Sequence, residues 1–265
     1  MGWSTLVGLL LVFAALIVSN LMEKGNPLAL LNGPGAVIVF GGTIGAALIS
    51  FPPQRTLGLP SAVAQIFKQK LPSQNEVINR LVDLADKARR QGLLALEEEA
   101  KKLTDPFLHQ GLQLVIDGTD PEVVRDLLEI EQEHAAERHA ESYGVLQAMG
   151  GYAPTMGIIG TVMGLVNVLG NMEDPSHLAG AIATAFLATF YGVASANMVW
   201  LPLASKLKQV DQQEALLRHV MSEGILAIQA GDNPRIVRTK LEAFLSPKQR
   251  QVEEGESARA SVRTA

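Results

Sequence analysis

Four long stretches of the chain carry no Lys, Arg, Asp or Glu: Met1–Met22, Gly25–Gln54, Ser142–Met172 and Pro175–Ser205. A helix rising about 1.5 Å per residue needs roughly 20 apolar residues to cross a hydrocarbon core of about 30 Å, and each stretch is long enough. The pattern predicts membrane spans at 3–21, 34–51, 148–170 and 178–203. The first stretch lacks a cationic start and a small-x-small cleavage site, and a second apolar stretch follows at once, so it reads as a retained span and not a secretory signal. A buried core helix is the alternative for any single block, the glycine-rich second one above all. Four such blocks in one chain favour the membrane.

Between the second and third spans, residues 52–147 show helical patterning. Ser73 and Glu76 have the S-x-x-E spacing of a capping box, followed by an apolar stripe of Val77, Ile78, Leu81, Val82 and Leu84. Leu93, Leu94 and Leu96 continue the stripe, which predicts one helix from Ser73 to about Lys102 in spite of Gly92. A second helix is expected over 106–116, ending at Asp117-Gly118. Asp120-Pro121 then supplies an N-cap with proline at the first helical position. No breaker follows before Gly150, so this third helix, which carries Glu129, Glu131 and Glu133, is expected to lead directly into the third span. The fourth span is expected to continue as a helix over 203–230. A turn at Gly231-Asp232-Asn233-Pro234 and a short helix to about Leu245 follow, and 246–265 read as a polar, disordered tail.

The predicted fold is therefore an all-α membrane protein with four transmembrane helices and a large helical domain between spans two and three. Its organisation is a hairpin over 1–51, a helical domain over 52–147, a second hairpin over 148–203, a helical extension over 204–245 and the tail.

Charge placement sets the orientation. Of the 22 Lys and Arg residues, 11 lie between Arg55 and Arg138 and 10 from Lys206 onward. Only Lys24 lies between spans one and two, and none between spans three and four. Arg55, Lys206 and Lys208 stand close to span ends, so the positive-inside rule puts both termini and the large loop in the cytoplasm. The 265 residues are 48% hydrophobic, 5% aromatic and 18% charged, with net charge −5 and no basic stripe for nucleic acid. With no cysteine there is no thiolate nucleophile and no thiolate metal site.

No Asp, Glu, Lys, Arg or His lies inside the four predicted spans. Proton- or ion-driven machines place an ionisable group in the membrane, so this chain cannot relay ions alone and a partner must bring the carboxylate. Enzyme chemistry has no foothold either. His109, His134, His139, His177 and His219 show no metal-ligand spacing beyond an i, i+5 pair, and there is no P-loop and no nucleophile elbow. Gly41-Gly42-Thr43-Ile44-Gly45 falls inside a span, where close packing is the expected role.

The last two spans instead carry small and hydroxyl residues at helical spacing: Gly160 and Gly164, then Thr184, Ala188, Gly192 and Ala196. Such ridges let helix backbones approach, either between copies of the chain, the natural reading, or within one chain. Pro154 and Pro202 would free the carbonyls of Gly150 and Met198, either as structural kinks or to line a wet passage. Thr161 and Thr189 would line the same passage or bond back to their own helices.

Over nearly its whole length the order of two spans, a helical insert, two spans and a tail resembles the MotA/PomA family of flagellar stator proteins. Ala153-Pro154-Thr155-Met156-Gly157-Ile158-Ile159-Gly160-Thr161-Val162-Met163-Gly164-Leu165 is similar to that family's third span, with Pro154 on its conformationally important proline. Pro202, in Trp200-Leu201-Pro202-Leu203-Ala204, falls on the second such proline, and Thr161 and Thr189 fall where ion-path hydroxyls occur. Ala88-Arg89-Arg90-Gln91-Gly92-Leu93-Leu94-Ala95-Leu96-Glu97 resembles the stretch that meets the rotor protein FliG. Arg89 and Glu97 match its charges, Arg90 is an additional basic position, and Glu131 aligns less securely with an acidic position near the membrane.

The resemblance implies a ring of subunits, taken to be five, around two MotB-type single-span chains, each with one membrane Asp, in the inner membrane of a bacterium. It implies no cofactor, transport of H+ or Na+, and torque on FliG. One charge crossing 100 mV supplies about 2.3 kcal/mol, so each unit of mechanical work needs many ions. The alternative is an ExbB/TolQ-type energiser of an outer-membrane system, although that plan has three spans and lacks the Arg89-to-Glu97 stretch. A self-contained channel would have to conduct without an acidic partner.

Overall fold

The computed structural model describes residues 2–68, 71–170 and 175–247, and the described residues are helical with short connections. Helix α1 spans Gly2–Met22. The second span is built from α2 (Gly33–Ala36), a π-helical turn (Val37–Gly41) and α3 (Gly42–Ser50). Then come α4 (Pro53–Lys68), α5 (Gln74–Gln91), a 3-10 turn (Leu93–Leu96), α6 (Glu97–Ala100) and α7 (Pro106–Ile116). Helix α8 runs over Pro121–Gly170, α9 over Pro175–Ser195, a second π-helical turn over Ala196–Trp200, α10 over Leu201–Gln229 and α11 over Pro234–Glu242. Among the described residues, four helical segments are long and apolar enough to cross a membrane. The predicted tail from 248 onward lies outside the described residues.

The chain divides into two compact units, Met1–Lys70 with Glu137–Val210, and Leu71–Ala136 with Asp211–Ala265. In the second unit the insert between the spans and the helices after the fourth span share one core: Ile78, Leu81, Leu96, Leu112, Leu128, Ile225, Ile228 and Leu241 are all fully buried. The capping box at the start of α5 is formed, with the Glu76 amide donating to Ser73 Oγ at 3.1 Å and the Ser73 amide to Glu76 Oε2 at 3.0 Å. Asp105 caps α7 by accepting from the Leu108 amide at 3.0 Å, ahead of Pro106.

The single helix expected from Ser73 to Lys102 is corrected. Gly92 adopts φ +85°, ψ 165°, a region open only to glycine, and ends α5. The chain then turns through the 3-10 segment, which turns Leu96 inward, and starts again as α6. The apolar stripe survives the break because 3-10 and α turns both return a side chain to the same side every three to four residues. Helix α4, over Pro53–Lys68, was not anticipated.

In the first unit, none of the α1 window is buried within the chain, so its apolar surface is left for lipid or another polypeptide. The other spans pack through glycine. A Cβ on Gly157 would lie 2.9 Å from the Ala188 carbonyl oxygen, one on Gly160 would lie 2.6 Å from Ala188 Cβ, and one on Gly164 would lie 2.7 Å from Ala185 Cβ. The Gly160/Gly164 ridge is therefore taken up inside one chain. The outward side of the same span leaves Ile158, Ile159, Val162, Met163 and Val166 exposed.

Candidate functional site

The third and fourth spans meet at their hydroxyl residues. Thr161 Oγ1 and Thr189 Oγ1 are hydrogen-bonded to each other, and Thr161 Oγ1 also lies 3.0 Å from the Ala185 carbonyl and 3.1 Å from the Gly157 carbonyl. Thr161 thus bonds back to its own helix, one of its two expected uses, and also reaches across to the next span. Both threonines are half-buried, at an interface whose other partners are glycine, alanine and backbone.

The two prolines are set differently. Pro154 lies inside α8, which stays α-helical through it, and its Cα is 3.1 Å from the place a Cβ on Gly192 would occupy. Pro202 is exposed at the start of α10, directly after the π-helical turn Ala196–Trp200 that contains Met198. The widened turn loosens the helix ahead of a residue that cannot donate a hydrogen bond. Leu201, beside Pro202, seats on Gly150, the residue whose carbonyl Pro154 frees: a Cβ there would lie 2.5 Å from Leu201 Cδ2. The prolines are thus connected through packing.

A polar knot at the loop between the first two spans was missed. The Asn32 amide donates to Tyr191 Oη at 2.7 Å, Tyr191 Oη donates to the Leu30 carbonyl, and Asn32 Nδ2 donates to Thr184 Oγ1 at 2.9 Å. Asn32 Oδ1 meanwhile caps α2 by accepting from the Gly35 amide at 2.8 Å. A lone tyrosine in an apolar run carries no spacing signal. Gly157 was within reach of the sequence, since it extends the Gly160/Gly164 ridge by one step of three. Arg55 and Glu141 form an ion pair at 2.5 Å, also unforeseen.

In the other unit, Arg89 and Arg90 are exposed in the last turn of α5, where cations suit the helix dipole, and Arg90 Nε pairs with Asp86 at 3.0 Å. Glu97 is exposed and pairs with Lys101 at 2.8 Å. That hydrogen bond and charge hold its carboxyl below the usual glutamate range. The break at Gly92 separates Arg89 and Glu97 into different elements. Glu99, not singled out by the sequence, accepts from Lys102 at 3.1 Å, Lys87 at 3.2 Å and Arg80 at 3.3 Å. The hydrogen bonds from Lys102 and Lys87 lower its carboxyl pKa. Glu131 is half-buried on α8, with Oε2 shielded from solvent and without a hydrogen bond.

Residues 6–92 match the family described as motility protein A N-terminal, and residues 99–220 match the MotA/TolQ/ExbB proton channel family. Motility protein A of Borreliella burgdorferi is 35% identical over 250 residues, covering 94% of this chain and 96% of that protein. The chain belongs to the motility protein A family. Chemotaxis protein PomA of Vibrio alginolyticus is 37% identical, with 96% and 99% coverage. The flagellar MotAB stator complex of Bacillus subtilis contains a chain of the same fold, with TM-score 0.86, 37% identity, and coverage of 93% of this chain and 97% of that one. A member of the motility protein A family with this topology is a stator subunit of the flagellar motor, and the ExbB/TolQ-type alternative is not favoured. Family membership and the four apolar helices make it a multi-pass inner-membrane protein.

Proposed function

We propose that copies of this chain form a ring, five in number, around a MotB-type partner whose membrane Asp carries H+ or Na+ past the third and fourth spans. The observation that carries this is the pairing of Thr161 with Thr189 inside spans that hold no Asp, Glu, Lys, Arg or His. Hydroxyls offer an ion or hydronium both donor and acceptor sites without trapping it as a fixed charge would. The coupled prolines transmit the change: when the partner's Asp gains or loses its ion, the fit beside Pro154 alters, and Leu201 on Gly150 passes that shift to the loosened turn before Pro202. Two packings of such an interface, close in energy, suffice for a switch.

The insert and both termini are assigned to the cytoplasm, where Arg89, Arg90 and Glu97 engage the rotor protein FliG. These charges suit the role because they stand outward at a helix end and a helix start. Glu131 has a different part, since its buried carboxylate oxygen faces protein and not solvent. The reading makes the chain a force-transmitting channel subunit and not an enzyme.

Co-expression with the MotB-type partner in a stator-less strain tests this. Swimming requires both chains, and a partner with its membrane Asp changed to Asn gives assembled, immobile cells. Ion conduction by this chain reconstituted alone overturns the reading. Swimming speed against sodium concentration, at fixed membrane potential, decides the ion.

A further inference from the structure

Between α1 and the fourth span lies an open cleft made of two joined pockets of about 400 and 440 Å³, which share Asn197 and Met198. Its character changes along its length. One end has Ser4 and Thr5 on α1 facing Ser205 and Lys206 on α10. The other end exposes apolar surface, with Leu16 on α1 facing Thr189, Phe190 and Val193 on α9, and Leu9 and Val12 lie between. From Ser4 to Leu16 a helix rises about 18 Å. That is close to one leaflet, about 15 Å, half of the hydrocarbon core.

We infer that this cleft is a site for one anionic phospholipid, its phosphate held at Lys206 among the hydroxyls and one acyl chain lying along Val12 toward Leu16. The far end presents only apolar surface to the cleft, which suits an acyl chain. Charge favours an anion, because among the described residues lining the cleft Lys206 is the one that is charged and none is a carboxylate. Basic pockets between membrane helices take phospholipid head groups by this combination of a cation at the interface and an apolar slot beneath it. The wall of the cleft is the π-helical turn, through Asn197 and Met198, so a bound chain packs against the loosened stretch before Pro202. The inference rests on the packing of the spans alone and does not depend on the motor reading.

The full chain reconstituted into nanodiscs of phosphatidylglycerol and phosphatidylethanolamine in equal parts, then released for native mass spectrometry, is expected to retain one phosphatidylglycerol per chain. Lys206→Gln lowers that retention about fivefold, as loss of one interfacial cation predicts. Val12→Trp, which fills the slot, abolishes it, and Lys208→Gln, outside the cleft, leaves it unchanged. Equal retention in all four proteins, or equal retention of phosphatidylethanolamine, overturns the inference. So does a fluorophore on Val12→Cys, a unique site in a chain without cysteine, that phosphatidylglycerol with brominated chains fails to quench, since another polypeptide then occupies the cleft.

Discussion

Gly192 and Gly157 bring the fourth and third spans into backbone contact: a Cβ on Gly192 would lie 3.1 Å from Gly157 Cα and 2.5 Å from the Ala153 carbonyl oxygen. Neither neighbour is the tip of a flexible side chain, so neither gives way easily. The helices touch where Thr161 meets Thr189, one turn from each glycine, and this spacing brings the two hydroxyls within reach.

Gly192→Val is therefore expected to destabilise the folded chain by about 1–3 kcal/mol through overpacking, and to separate the threonines. Gly180→Ala, which adds a Cβ in open space, leaves stability unchanged. Thermal unfolding in detergent, with motility measured in parallel, distinguishes the two.

Thr161→Val removes a hydroxyl while keeping the shape of the side chain, whereas Thr161→Ser keeps the hydroxyl. Swimming speed is expected to fall severely in the first and to persist in the second, with the same order at Thr189. Equal speeds for the valine and serine variants would assign both hydroxyls to packing alone.

The break at Gly92 rests on its backbone angles, and Gly92→Ala is expected to cost about 1–3 kcal/mol. Ser73→Ala, which opens the capping box at the other end of α5, costs about 1 kcal/mol. Both losses appear in chemical denaturation of the full chain followed by circular dichroism.

Arg89→Glu and Glu97→Lys are expected to leave folding and membrane insertion intact, because both side chains are exposed, and to reduce torque. Restored torque when each is paired with an opposite reversal in FliG would place the contact. Normal swimming in both single variants would remove them from the rotor interface.

Glu97 and Glu99 are held below the usual glutamate range, chiefly by hydrogen bonds from Lys101 and from Lys102 and Lys87. The fold favours their ionised forms, so their contribution is present at neutral pH and is lost as pH falls through the lowered values. Hydrogen exchange over 93–103 is expected to quicken in that acid range, and less so in Glu99→Gln.

Charge placement alone located the four spans, because a charge in hydrocarbon is costly wherever the chain happens to fold, and that cost is written residue by residue. The capping box at Ser73, the stop at Asp117-Gly118 and the proline start at Pro121 were equally legible, since each depends on neighbours within a few positions. Gly92 was the local exception. Glycine permits a left-handed break without requiring one, and the apolar stripe continues on both sides.

The sequence also marked Thr161 and Thr189 as hydroxyls in otherwise inert spans, but not that they bond to each other, 28 positions apart. Nor did it show that Leu201 seats on Gly150, that Tyr191 clamps Asn32, or that Glu99 gathers three cations. Those relationships are decided by which helix faces meet. In spans that are apolar all round, the hydrophobic pattern leaves that choice open, and only backbone contact at small residues makes it.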